Sequence, residues 1–204
     1  MPSLIRYPGG KSRVFPILWR YMAPIIKDHY AEPFAGGGST FMGAAKQRPG
    51  LKIAVNDKDP EVACFWSVVC GPSADFEVMC RELHASRKPT DDPDRRFAYW
   101  TEIRASKPEE PGKRAFRFIF LNKTTFGGQI DAAPIGGWNQ TGWAGRGDRR
   151  VMCQYSVNNI LKNLHAARNL LAGRTTVHNL DVLDFLDLMP PMPLYVDPPY
   201  FPSN

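Results

Sequence analysis

Apolar positions along the chain alternate between helical and strand-like spacing. Val14, Ile17, Leu18, Tyr21 and Met22 recur at helical intervals, with Ser12 placed to cap the segment and Pro16 tolerated in its first turn. "DHYAEPFAGGGSTFMGAAKQ" (28–47) reads as strand, glycine turn and helix. "LKIAVND" (51–57) is a second strand, and "DPEVACFWSVVCG" (59–71) is a helix ended by Gly71. From 72 the pattern becomes charged and proline-bearing. Helical spacing is legible there in "DPDRRFAYWTEIRAS" (92–106) and "KRAFRFIFLNK" (113–123), followed by a glycine-rich stretch to 150 without apolar periodicity. Regularity returns at 156–173, where Val157, Ile160, Leu161, Leu164, Arg168 and Leu171 share one helix face between a Ser156 cap and Gly173. "TTVHNL" (175–180) and "PLYVD" (193–197) are two further strands.

Strands alternating with helices imply an α/β fold around a mostly parallel sheet. The change of pattern splits it into a catalytic domain, 1–71 with 156–204, and an inserted region, 72–155. In parallel sheets ligands collect at the carboxyl ends of the strands. Two clusters fall there.

The first is "EPFAGGGST" (32–40), where Gly36, Gly37 and Gly38 turn the strand that ends at Glu32 into a helix beginning near Ser39. Glycine permits a left-handed turn and close approach of a ligand. Asp57, at the end of the next strand, stands where an acid accepts hydrogen bonds from ribose hydroxyls. The pair indicates a nucleoside-containing cofactor without separating a dinucleotide from S-adenosylmethionine. The second is "DPPY" (197–200). Pro198 and Pro199 stiffen the backbone and leave carbonyls free, Asp197 adds a carboxylate, and Tyr200 adds a flat face. Together they suit a planar substrate bearing an exocyclic amine. The plain alternatives are a tight turn and a strand stop.

Composition narrows the picture. The 204 residues are 43% hydrophobic and carry a net charge of +6. The charge is uneven, with +4 over 1–30 and +5 over 81–150 against −2 over 31–80 and −1 over 151–204. Two basic blocks suit a polyanion. Without an apolar run of spanning length or a signal-like start, the reading is a cytoplasmic chain with no membrane partner. Cys64, Cys70, Cys80 and Cys153 form no C-x-x-C pair and read as reduced thiols, so no metal is expected.

Five segments in order, "RYPGGKSR", "EPFAGGGST", "VNDKDP", "FLNKTTFGG" and "YVDPPY", resemble the Dam-type (D12 class) DNA adenine N6-methyltransferases. The resemblance implies a Rossmann-like methyltransferase sheet, an inserted, mainly helical DNA-recognition region, and methyl transfer from S-adenosylmethionine to adenine in double-stranded DNA, with S-adenosylhomocysteine as product. It implies that Tyr7, Lys11, Glu32, Phe34, Gly36, Gly38, Asp57, Asp181 and Asp197 serve the cofactor. Asp197, Pro198, Pro199 and Tyr200 then hold a flipped-out base. In the insert, Lys123, Phe126 and Gln129 contact DNA, Phe126 as a wedge, and the "RGDRR" loop offers Arg146, Arg149 and Arg150 to phosphates. Asp131 stands where members that read GATC carry an arginine, so that target is not carried over. The family continues beyond its catalytic motif, so the sheet is expected to be incomplete after Asn204. A monomer is expected. Cytosine-N4 or RNA adenine methylation, a dinucleotide-dependent oxidoreductase and a DNA-binding fragment without catalysis are the competing readings. The motifs serve restriction–modification and solitary methylases alike.

Overall fold

A computed structural model describes residues 4–7, 9–128, 130 and 155–199. The elements run α1 (Phe15–Met22), β1 (His29–Glu32), α2 (Ser39–Gln47), β2 (Lys52–Asn56), α3 (Pro60–Cys70), α4 (Ser73–Asp91), α5 (Pro93–Ala105), α6 (Pro111–Thr124), α7 (Val157–Leu171), β3 (Thr175–His178) and α8 (Val182–Leu188). The fold is mixed α/β.

β1, β2 and β3 pair in parallel in that order, with Ala31 beside Ala54 and Val55 beside Val177. On the free side of β1, Leu194 makes one parallel bridge to Ala31. The amide of Ala31 donates to the Pro193 carbonyl at 3.0 Å, and the amide of Tyr195 donates to the Ala31 carbonyl at 3.0 Å. The expected strand "PLYVD" is thus reduced to a single bridge among the described residues. In this register the next bonds would need an amide from Pro193 to the His29 carbonyl and one from Pro33 to the Tyr195 carbonyl, and neither proline has one, so the ladder stops on both sides. β1 therefore lies between β2, reached by the next crossover, and a segment reached only at the far end of the chain. That reversal of direction opens a crevice above the carboxyl end of β1.

Side chains alternate across the sheet. Tyr30, Ile53 and Val55 join the main core with α2, α3, α4, α6 and α7. Ala31 and Ala54 face the other way, onto Phe185 of α8. The main core is aromatic where α3 meets α6: Phe65 packs on Trp66 and on Phe118, with ring centroids 5.1 and 5.2 Å apart.

Two local expectations change. α1 begins at Phe15 without a side-chain cap, and Val14, Ile17 and Tyr21 are exposed while Phe15 is buried. Gly43 of α2 has no side chain, so the Phe15 ring packs there, and this pivots the helix away from its apolar stripe. α4 was not legible as a helix. It buries Phe76, Met79, Leu83, Ser86 and Thr90, so two hydroxyls occupy core positions and hide the period. Both donate inside the helix, Ser86 to the Leu83 carbonyl at 2.7 Å and Thr90 to the Ser86 carbonyl at 2.7 Å.

Candidate functional site

The turn after β1 is held by its own backbone and by β2. The amide of Ala35 donates to the Asn56 carbonyl at 2.7 Å, and the amide of Gly38 donates to the Ala35 carbonyl at 2.9 Å. Asp57 receives the amide of Gly36 on Oδ2 at 2.8 Å and that of Asp59 on Oδ1 at 3.0 Å. Trp66 Nε1 donates to the Gly36 carbonyl at 2.9 Å. Gly36 and Gly38 have φ of +43° and +72°. A Cβ at Gly38 would stand 2.2 Å from Trp66 Cζ2, and one at Gly36 would stand 2.9 Å from Tyr7 Cε1. Conformation favours glycine at both positions, and at Gly38 the buried Trp66 ring requires it by space as well.

These residues form one wall of a cavity of about 620 Å³. Tyr7, Lys11, Glu32, Phe34, Gly36, Gly38 and Asp57 line it, and so do Asp197, Pro198 and Pro199 from the opposite side of β1. The glycine motif and the proline motif, about 160 residues apart in sequence, thus share one crevice. Asp181 stands outside the lining. It caps α8, accepting from the amide of Leu183 at 3.1 Å, and pairs with Lys58 at 2.9 Å, and Lys58 itself lines the cavity. The hydrogen bond from Lys58 holds the Asp181 carboxyl below its usual range. Tyr200, Gln129, Arg146, Arg149 and Arg150 lie outside the described residues.

The cavity lining holds three carboxyls, Glu32, Asp57 and Asp197, and two amines, Lys11 and Lys58. Glu32 is fully buried, and burial pushes its carboxyl up to about 8, with the nearby Asp197 adding to the rise and a hydrogen bond from the Tyr30 hydroxyl opposing it. Burial also raises Asp57, against the two backbone amides that favour its charged form. Lys11 bridges to Asp197 at 2.6 Å and donates to the Gly9 carbonyl at 2.9 Å. Burial raises the Tyr7 hydroxyl, with Asp57 and Asp59 adding to the rise. The Ser39 hydroxyl lines the cavity and is buried with no hydrogen-bond partner among the described residues.

Sequence reasoning missed Ser39, Thr40, Lys58 and Tyr195 as lining residues, and Tyr30 as the partner of Glu32. Ser39 and Thr40 were findable as the first residues of a helix aimed at the crevice. Tyr30 was not, because a strand residue two before Glu32 signals only shared facing.

Away from the cavity, Lys123 sits in the last turn of α6, where burial, followed by the Arg6 charge, lowers its amine to about 8. Phe126 follows on a short turn, 126–128, with its ring 62% exposed.

The family model described as D12 class N6 adenine-specific DNA methyltransferase matches residues 7–204. The chain belongs to this family. The curated relatives include the Type II methyltransferase M.MjaIII of Methanocaldococcus jannaschii, 23% identical over 98% of this chain and 69% of its own length. The Type II methyltransferase M.CviBI of Paramecium bursaria Chlorella virus NC1A is 29% identical over 68% of this chain and 49% of its own length. The Type II methyltransferase M1.LlaDCHI of Lactococcus lactis subsp. cremoris is 25% identical over 60% of this chain and 41% of its own length. The chain therefore matches about two thirds of the first relative and half or less of the other two. Membership implies use of S-adenosylmethionine and a DNA substrate. Among the described residues no helix is long and apolar enough to cross a membrane, and no three metal-ligating side chains come together.

Proposed function

We propose that this methyltransferase transfers a methyl group from S-adenosylmethionine to the N6 amine of an adenine flipped out of double-stranded DNA. The observation that carries the reading is the shared cavity. The Gly36–Asp57 wall and the Asp197–Pro198–Pro199 wall face one space on either side of β1. On this reading the parallel strands are the start of a Rossmann-like methyltransferase sheet, and 72–155 is its inserted DNA-recognition region.

The residues present suit the cofactor. Gly36 and Gly38 leave room that a Cβ would fill. Asp57 has lone pairs left for ribose hydroxyls after accepting two amides. Ser39 offers a hydroxyl without a partner among the described residues, and Phe34 and Tyr7 offer apolar faces. The Asp57 carboxylate in the lining suits a ligand that carries both an ammonium and a sulfonium. Bound there, the cofactor supplies a methyl group activated by its positive sulfur.

The protein's own part is positioning and acceptance of charge. Asp197 is the acceptor for the target amine, helped by the Pro198 carbonyl, and both draw electron density onto the nitrogen. Lys11 fixes the Asp197 carboxylate through a 2.6 Å contact. Tyr200 is the stacking face for the base. Extruding an adenine costs a few kcal/mol. Contacts in the insert offset this cost, with Phe126 filling the vacated stack and Lys123, Gln129, Arg146, Arg149 and Arg150 supplying polar and phosphate contacts.

The test is transfer of labelled methyl groups to unmethylated duplex DNA, followed by nucleoside analysis. We expect N6-methyladenine as product; N4-methylcytosine would overturn the adenine assignment. Asp197→Ala should lower transfer by about a hundredfold or more, as loss of one charge-stabilising group does, while cofactor still binds. Transfer at the wild-type rate would refute the mechanism.

A further inference from the structure

Asn122 is 2% exposed, in the last turn of α6, and it does not line the cavity. Its amide makes three hydrogen bonds to backbone far from its own helix turn. Oδ1 accepts from the amide of Arg6 at 2.7 Å, and Nδ2 donates to the Arg6 carbonyl at 2.8 Å. Nδ2 also donates to the Gly128 carbonyl at 3.4 Å. One side chain thus pairs with both polar groups of Arg6, as a neighbouring strand would, and ties the same point to the turn that presents Phe126.

The two tied segments lead to different sites. Past Arg6 the chain places Tyr7 against Gly36 in the cavity wall and, at Lys11, bonds to Asp197. Before it, Leu4 and Ile5 are buried in the main core. On the other side, Phe126 stands exposed one residue before two glycines with φ of +64° and +78°. Contact between the segments is close. A Cβ on Gly128 would lie 2.8 Å from Arg6 Cβ and 3.1 Å from the Arg6 carbonyl oxygen.

We propose that Asn122 is a positioning residue that joins the Phe126 turn to the cavity-closing segment at Arg6–Lys11, so that DNA engagement and cofactor binding strengthen each other. The physical ground is satisfaction of buried polar groups. If the Arg6 segment lifted while the turn stayed, the Asn122 amide would lose two partners in a place without water, which is strongly unfavourable. The two segments therefore hold or move together. The inference rests on the methyltransferase reading of the cavity and on Phe126 meeting DNA.

The experiment measures S-adenosylhomocysteine affinity with and without sheared genomic duplex DNA from a host lacking adenine methylation. In the wild type, DNA should tighten cofactor binding by about tenfold, within the range usual for coupled sites, and Asn122→Ala should cut that gain to about twofold or less. Gly128→Ala attacks the same junction from the turn side without removing a buried amide, and it should reduce the gain in the same direction. Thermal unfolding of each variant shows whether it is folded. A gain unchanged in both folded variants overturns the proposal, and so does a wild type that methylates DNA but binds cofactor equally with and without it. A wild type that neither binds cofactor nor methylates DNA instead overturns the underlying functional reading, and this inference with it.

Discussion

The buried carboxyl of Glu32 makes the folded protein sensitive to pH in a calculable way. Glu32 is 2% exposed at the end of β1 and titrates near 8, against 4.5 for the free group. Burial favours its neutral form in the folded state only. Below about pH 4.5 the group is neutral in both states and costs nothing. As pH rises toward 8, the unfolded chain ionises Glu32 freely while the fold resists, so stability is lost across that window. Each pH unit climbed within the window costs about 1.4 kcal/mol, so the loss attributable to this group is about 3 kcal/mol at pH 7. Glu32→Gln removes the ionisation but keeps an Oε1 acceptor for the Tyr30 hydroxyl. The variant should lie within about 1 kcal/mol of wild type at pH 5 and exceed it by about 3 kcal/mol at pH 7. For a chain of this size, that advantage corresponds to a melting temperature higher by about 6–12 °C. The assay is paired thermal or urea unfolding of the two proteins from pH 5 to 9, with other titrating groups cancelling in the difference. A flat difference across the range, or a variant less stable than wild type at pH 8, would refute the reasoning.

Two further outcomes follow from the cavity wall. Gly38→Ala forces φ of +72° on a side chain and drives its Cβ to 2.2 Å from the fully buried Trp66 ring. The left-handed conformation and overpacking together should cost about 2–4 kcal/mol in urea unfolding, and a cost under about 0.5 kcal/mol would contradict the packing described. Asp57→Ala removes the acceptor of two turn amides and of the proposed ribose contact, so calorimetry should show S-adenosylhomocysteine affinity falling by about 10–100-fold, the worth of a charged hydrogen bond; unchanged affinity would remove Asp57 from the site.

Much of this protein was legible without coordinates because its chemistry sits in short local patterns. Three glycines between Glu32 and Ser39 announce a strand–turn–helix, since glycine takes the left-handed angles found at 36 and 38 without steric cost. Ser156 announces the start of α7, and its hydroxyl does accept the amide of Asn159 at 3.4 Å. Gly71 marks the end of α3 by the same kind of local rule. The five motifs in order carried the family, which the match over 7–204 then showed.

Tertiary structure decided what local rules do not encode. α4 escaped notice because Ser86 and Thr90 fill core positions, which is tolerable only when neighbouring carbonyls accept their hydroxyls. Part of the apolar stripe of α1, Val14, Ile17 and Tyr21, proved exposed, while Phe15 packs where Gly43 of α2 lacks a side chain. The strand expected at 193–197 became a single bridge, since Pro193 and Pro33 stand at the two positions where the next amide donors were needed. Most of all, the sequence determined which residues carry acceptors, glycines and rings, but their meeting depended on parallel pairing. Placing the last segment beside β1, not beside β3, brings Asp197 to the crevice of Asp57 and Glu32, and tertiary packing likewise sets Asn122 between Arg6 and Gly128. Those contacts join residues more than 100 positions apart in some cases, beyond the reach of any local pattern.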